Sequence, residues 1–176
     1  VEIAEREFGS IDILVANAAF GVPGPIVDSE PKHWDVTMDA SARSLLTLTQ
    51  AALPLMNRGG HIISITSEGG QKVIPGYGLV GAAKAALEAI TRTLAAELAP
   101  RNILVNGILA GLCDTKSLRA VPGAVDMIDE VLRKTPRGRL VTPDDIANVV
   151  SLLLSPKASM ICGQFIVVDG GKSTIA

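Results

Sequence analysis

Four short apolar runs punctuate the chain, at residues 11–16, 61–66, 102–108 and 165–168. Each has strand length, and Asp12 is the only carboxylate or ammonium group in any of them. Between the runs the pattern turns helical. Residues 1–8 read as the last two turns of a helix closed by Gly9. Residues 33–58 place Leu45, Leu48, Ala52 and Leu55 on one stripe and stop at Gly59-Gly60. A Gly-rich link over 67–76 leads into a helix ending at Pro100, whose stripe is Ala83, Leu87, Ile90, Leu94 and Leu98. Residues 110–141 are looser, with one amphipathic helix near 126–134. Thr142-Pro143-Asp144-Asp145 is a strong helix start that runs on to Leu154. It supplies a capping hydroxyl, a proline in the first turn and two carboxylates at the positive helix end.

Apolar strands alternating with helices predict a parallel sheet covered on both faces, a doubly wound α/β domain. The 176 residues show no internal repeat or boundary, and they fit one domain or part of one. Composition narrows the partners. With 16 basic and 18 acidic residues the net charge is −2, which offers no electrostatic reason to bind nucleic acid or an anionic membrane. Charged residues are only 19% of the chain and apolar ones 48%, against disorder. Cys113 and Cys162 cannot form a disulfide framework, and no metal-ligand spacing surrounds them. No apolar run nears the ~20 residues of a membrane span, and the first residues do not read as a signal peptide. A reduced, cytoplasmic protein is the expectation.

Ligands of open parallel sheets bind beyond the carboxyl ends of the strands. The places to search are therefore 17–21, 64–70, 109–115 and the start of the helix that holds Tyr77 and Lys84. Seven residues at about 100° each bring Tyr77 and Lys84 to nearly one helix face, roughly 10.5 Å apart. An ammonium near a phenol favours the phenolate and suits proton transfer. Spacing alone leaves the plainer alternative open, a tyrosine at a helix start and a lysine reaching solvent.

Six segments then occur in one order: Ala16-Asn17-Ala18-Ala19, Ser64-Ile65-Thr66-Ser67, Tyr77 with Lys84, Leu104-Val105-Asn106, Gly111-Leu112-Cys113-Asp114-Thr115, and Gly163-Gln164 followed by Val168-Asp169-Gly170-Gly171. Together they resemble the short-chain dehydrogenase/reductase family. Most members carry tyrosine four residues before the lysine, where this chain has Val80. Tyr77, seven before Lys84, resembles instead the enoyl-acyl-carrier-protein reductases of that family. Asp114-Thr115, Leu118 and Thr135-Pro136-Arg137-Gly138-Arg139 look most like the group called enoyl reductase III.

The resemblance implies roles. Tyr77, Lys84 and Ser67 are the catalytic candidates. Ser67 stands thirteen residues before Val80, where many members have a catalytic serine, and a strand-end cap is its other reading. Asn17, Ala18, Ile65, Tyr77, Lys84, Gly111, Leu112 and Thr115 are the cofactor-binding candidates, with NADPH expected and NADH admissible. Thr115 matches a carboxamide-contacting threonine and equally suits a helix cap. Ser41 replaces an asparagine that relatives use structurally or as a relay. His33 and His61 read as structural residues, and no metal site is expected.

The implied function is reduction of the 2,3-double bond of an enoyl thioester, on acyl carrier protein or CoA, in fatty-acid or polyketide synthesis. One alternative is a carbonyl-reducing member of the same family, and another is a non-catalytic fragment or oligomerisation module. Helices over 34–58 and 76–99 carry small residues on several faces, so a homodimer or homotetramer is expected. The family's first strand, Gly-rich phosphate turn and following helix have no counterpart here. Residues 1–176 are thus expected to be a partial NAD(P)-binding domain, with strand 11–16 left at an edge.

Overall fold

A computed structural model of the protein describes residues 1–119 and 123–175. Each apolar run is a strand: β1 (Ile13–Ala16), β2 (Gly60–Ser67), β3 (Ile103–Ala110) and β4 (Phe165–Val168). All three pairings are parallel and the strand order is β1-β2-β3-β4. Register pairs Ala16 with Ser64 and Ser67 with Ala110, so the carboxyl ends emerge along one edge.

Seven α-helices accompany the sheet among the described residues: α1 (Glu2–Phe8), α2 (Pro31–Met38), α3 (Ser44–Ala52), α4 (Gly78–Leu98), α5 (Lys116–Arg119), α6 (Ala124–Lys134) and α7 (Pro143–Leu153). Ile62 and Ile63 are successive residues of β2 and point to opposite faces, yet both are fully buried. On one side Ile62, Ile103 and Val105 pack beneath Leu45 and Ala52 of α3 and Leu87, Leu94 and Leu98 of α4. On the other, Ile63, Ile108 and Ile166 pack beneath Leu153, Ile146 and Val150 of α7. Both faces are therefore covered over the centre of the sheet, the doubly wound arrangement. At its margin, Ile13 and Val15 of β1 remain 47% and 42% exposed. No helix among the described residues is long and apolar enough to cross a membrane.

The continuous helix expected over 33–58 is corrected. It starts earlier, at Pro31, because Glu30 and His33 cap the first turn reciprocally. It then widens into a five-residue π turn over Asp39–Arg43 before α3, and tightens to a 3-10 turn over Leu53–Leu55. The π turn holds Ser41, whose hydroxyl donates to Phe20 O (2.8 Å) and accepts from Phe20 N (3.2 Å). The buried stripe also departs from expectation. It passes through Leu45, Thr49 and Ala52, and Leu48 is 39% exposed. A buried threonine is invisible to a reading based on apolar spacing. Within 110–141 the short α5 was not anticipated, α6 begins two residues before the expected start, and residues 120–122 lie outside the described residues.

The start of α7 follows the sequence closely. Thr142 Oγ1 accepts from Asp145 N (3.3 Å), while Thr142 N donates to Asp145 Oδ2 (2.9 Å). Arg139 donates to both oxygens of the same carboxylate, at 2.6 and 2.9 Å. Arg139, then the Thr142 amide and hydroxyl, hold the Asp145 carboxyl well below the usual carboxylate range. Thr142→Ala should destabilise the protein by about 1 kcal/mol, the usual cost of losing such a cap, read as a lower Tm. A carboxyl with a depressed folded-state pKa stabilises above its ordinary value and loses that contribution as acid protonates it. Melting curves of wild type and Asp145→Asn should accordingly separate at neutral pH and converge in strong acid. A separation independent of pH would refute the ion-paired cap.

Candidate active site

Ser67 is the last residue of β2 and opens a 3-10 turn over Glu68–Gly70. The turn lies across the amino end of α4, and three glycines permit the approach. A Cβ on Gly69 would come 2.5 Å from Tyr77 Cδ1, and one on Gly81 would come 2.6 Å from the Gly69 carbonyl oxygen. A Cβ on Gly70 would meet the Glu88 carboxylate at 2.7 Å. Tyr77 is the residue just before α4 rather than within it, and Gly76 precedes it with φ of 71°. Gly24 N donates to Gly76 O (2.8 Å), which ties the Pro-Gly-Pro loop to this segment.

These packings bring Ser67 Oγ and Tyr77 OH to 3.3 Å. The Ser67 hydroxyl makes no capping bond to its own turn, so the geometry favours the pairing over the strand-end cap. Lys84 is 7% exposed and donates from Nζ to Ile65 O (2.9 Å). Burial pushes its pKa below the ordinary lysine value, and the nearby Glu88 carboxylate opposes that shift. An ammonium has three donors, and the Ile65 carbonyl engages one of them.

Position 80 cannot hold a phenol without rearrangement. Val80 is buried, and a Cβ on Gly21 would lie 2.3 Å from its Cγ2. The loop carrying Gly21 is fixed on both sides, by Ser41 at Phe20 and by Val22 N donating to Thr37 Oγ1 (3.3 Å). Tyr77 is the single tyrosine of the sequence. The phenol at this edge therefore stands three residues farther from Lys84 than position 80 would put it, just outside α4.

The other sequence candidates flank this group at neighbouring strand ends. Asn17 and Ala18 follow β1 and are exposed, with Asn17 N donating to Val15 O (3.1 Å). Gly111 and Leu112 follow β3. Gly111 N donates to Val168 O (2.9 Å), and Leu112 O accepts from Val141 N (3.3 Å). Thr115 Oγ1 accepts from Leu118 N (3.2 Å), so its hydroxyl caps α5. Burial, then Asp114 and Asp145, push the Cys113 thiol pKa up, which leaves it a neutral side chain rather than a nucleophile. The Glu68–Lys172 ion pair links the turn after β2 to the segment after β4.

Sequence reasoning missed Thr66, Gln71 and Glu88. Thr66 Oγ1 donates to Glu88 Oε1 (2.9 Å), and Gln71 Nε2 donates to Glu88 Oε2 (3.1 Å). The available signal was a carboxylate beside Leu87, on the buried side of α4 and one turn beyond Lys84.

Three comparisons bear on this arrangement. Enoyl-(acyl-carrier-protein) reductase (NADH) FabI of Synechocystis is 44% identical over 171 residues, covering 95% of this chain and 66% of the relative. The protein of the same name from Nostoc is 40% identical over 169 residues, covering 94% and 66%. The crystal structure of enoyl-(acyl-carrier-protein) reductase (NADH) from Aquifex aeolicus superposes with a TM-score of 0.93 at 32% identity, covering 99% of this chain and 70% of that one. The chain thus spans slightly under two thirds of the length of the first two relatives. Residues 1–173 match the family described as Enoyl-(Acyl carrier protein) reductase, and with its parallel sheet, Ser67–Tyr77 pair and buried Lys84 the chain belongs to that family of short-chain dehydrogenase/reductases.

Proposed function

We propose that this chain is the catalytic part of a nicotinamide-dependent reductase of the 2,3-double bond of enoyl thioesters, in fatty-acid synthesis. The observation that carries the reading is the position of Tyr77, with its hydroxyl beside Ser67 and with Val80 sealed by Gly21 where a nearer phenol would stand. In a carbonyl substrate, the carbon that accepts hydride bears the oxygen to be protonated. In an enoyl thioester hydride adds to the β-carbon, and negative charge develops on the thioester oxygen two carbons away. A phenol three residues farther from Lys84, a helical rise of about 4.5 Å, suits the remote oxygen. Tyr77 donates a hydrogen bond to that developing oxyanion. Ser67 orients the phenol, and a proton from solvent completes the saturated product at the α-carbon.

The cofactor we infer is NADH, the dinucleotide in the names of the Synechocystis and Nostoc relatives, in place of the NADPH expected from sequence. When bound it supplies the hydride. Two features support a fit: the buried Lys84 ammonium has donors beyond the one given to Ile65 O, and Asn17, Ala18, Gly111, Leu112 and Thr115 lie at the adjoining strand ends. Lys84 holds the ribose hydroxyls, and the other five line the dinucleotide path. Residues 1–176 form part of the nucleotide-binding domain, whose Gly-rich phosphate turn lies outside them. The substrate arrives on acyl carrier protein or CoA. The protein works as a homodimer or homotetramer, supported by the small exposed residues Ala85, Ala89 and Ala96 of α4. The setting is a reducing one, the cytoplasm, supported by the unbridged Cys113 and Cys162.

The test is a comparison of matched 2-enoyl and 3-oxoacyl thioesters with the full-length protein, followed by loss of NADH absorbance. The enoyl substrate should be reduced far faster. Preference for the oxoacyl substrate would replace this reading by carbonyl reduction.

A further inference from the structure

Glu88 is a buried carboxylate whose charge offsets the burial of Lys84, but whose two hydrogen bonds have no part in the chemistry above. It is 4% exposed, one helical turn beyond Lys84. Burying a carboxylate is strongly unfavourable unless its oxygens are bonded and its charge is compensated, so its presence on α4 needs a local reason. Its two bonds supply one. Oε1 accepts from Thr66, the residue immediately before Ser67, and Oε2 accepts from Gln71, the residue immediately after the Glu68–Gly70 turn. One side chain therefore grips both ends of the segment that starts at Ser67. The segment has little slack, because Gly69 lies against the Tyr77 ring and Gly70 against Glu88 itself.

We propose that Glu88 is a positioning residue, clamping the turn after β2 through Thr66 and Gln71 so that Ser67 Oγ is held against the Tyr77 hydroxyl. Glutamine at position 88 would remove the charge but keep both bonds, its Oε1 accepting from Gln71 Nε2 and its Nε2 donating to Thr66 Oγ1, since a hydroxyl accepts as well as donates. Leucine at position 88 would remove both bonds. The geometric part of the inference stands on its own, and its catalytic consequence rests on the roles given to Ser67 and Tyr77 under Proposed function.

The experiment compares wild type, Glu88→Leu, Glu88→Gln and Gln71→Leu in the full-length protein. Hydrogen exchange by mass spectrometry follows peptides covering 65–76, with peptides of β3 as reference, and steady-state kinetics run in parallel. Glu88→Leu should speed exchange in 65–76 about tenfold and leave β3 unchanged. It should also lower kcat on the enoyl thioester about tenfold. Glu88→Gln keeps both bonds without the charge, so its exchange and kcat should stay within about twofold of wild type. Gln71→Leu removes one bond at an exposed position and should speed exchange about threefold. Exchange in 65–76 within twofold of wild type for Glu88→Leu, or a Glu88→Gln that exchanges as fast as Glu88→Leu, would overturn the clamp. If Glu88→Leu does not fold, faster exchange in 65–76 for Gln71→Leu upholds the clamp, and wild-type exchange overturns it. If wild type does not reduce the enoyl thioester, the substrate reading falls while the exchange data still decide the clamp.

Discussion

Replacing Tyr77 by phenylalanine should lower enoyl turnover by about 10²–10³-fold, the usual effect of removing one donor to a developing oxyanion. The ring packs against Gly69, and phenylalanine keeps that packing, so the fold and the turn after β2 should persist. Because the hydroxyl is proposed to act only on the developing charge, the loss should appear in kcat and kcat/KM together, with NADH affinity unchanged. Ser67→Ala gives a useful contrast. Ser67 touches the phenol at 3.3 Å and is proposed to orient it rather than to donate to substrate, so its loss should be smaller than that of Tyr77→Phe. Stopped-flow absorbance of NADH with a 2-enoyl thioester measures both. Full turnover by Tyr77→Phe would remove the central assignment.

Lys84→Met should behave differently, damaging cofactor affinity as well as turnover. Methionine keeps most of the buried stem but removes the ammonium, and hydrogen bonds to a charged group are worth about 1.5–3 kcal/mol. NADH affinity should therefore fall by about 10- to 100-fold, read by fluorescence titration. A pH dependence follows from burial. Lys84 has its pKa lowered in the folded protein, so it stays charged only below that value and loses its proton sooner than an ordinary lysine as pH rises. Wild-type affinity for NADH should decline on the alkaline side below about 10.4, the ordinary lysine value, while the Lys84→Met variant should be flat there. Wild-type affinity in the variant would show that Lys84 does not hold the dinucleotide.

The two substitutions separate functions that share one helix end. Tyr77 precedes α4 and reaches across the turn to Ser67, while Lys84 lies inside the helix and reaches back to Ile65 O. A turnover loss without an affinity loss at one residue, and both losses at the other, would be hard to reconcile with a general disturbance of packing. Gln71→Leu should resemble Tyr77→Phe in that split, though with a smaller loss, because Gln71 is proposed to act only through the turn after β2.

Much of this architecture was legible from the chain alone. A parallel strand covered on both faces is apolar along most of its length, so the four runs stand out without any tertiary knowledge. Thr142-Pro143-Asp144-Asp145 carries its whole cap within four residues, and the structure forms it as read. Residues 1–8 closing at Gly9 were equally plain, since Gly9 takes the left-handed conformation that ends a helix. Tyr77 and Lys84 stood out by their spacing, but the structure puts Tyr77 just before α4, with its hydroxyl at Ser67, and gives Lys84 Nζ to Ile65 O.

What the sequence determined by itself was the alternation of strand and helix, and with it the sheet edge where polar residues had to be sought. The meeting of side chains from different elements was decided only by the tertiary structure. Ser67 faces Tyr77 because Gly69, Gly70 and Gly81 let the turn after β2 lie on α4. Thr49 replaces Leu48 in the buried stripe after a π turn whose Ser41 is bound to the distant Phe20 backbone. Thr115 turns its hydroxyl to Leu118, and Glu88 is buried because Thr66 and Gln71 offer it two donors. Thr49 Oγ1 finds no hydrogen-bond partner among the described residues, and for the other polar residues the physical reason is common. Periodicity along a chain reports which way a residue faces within its own element, whereas a polar residue's burial depends on a partner that only folding brings to it.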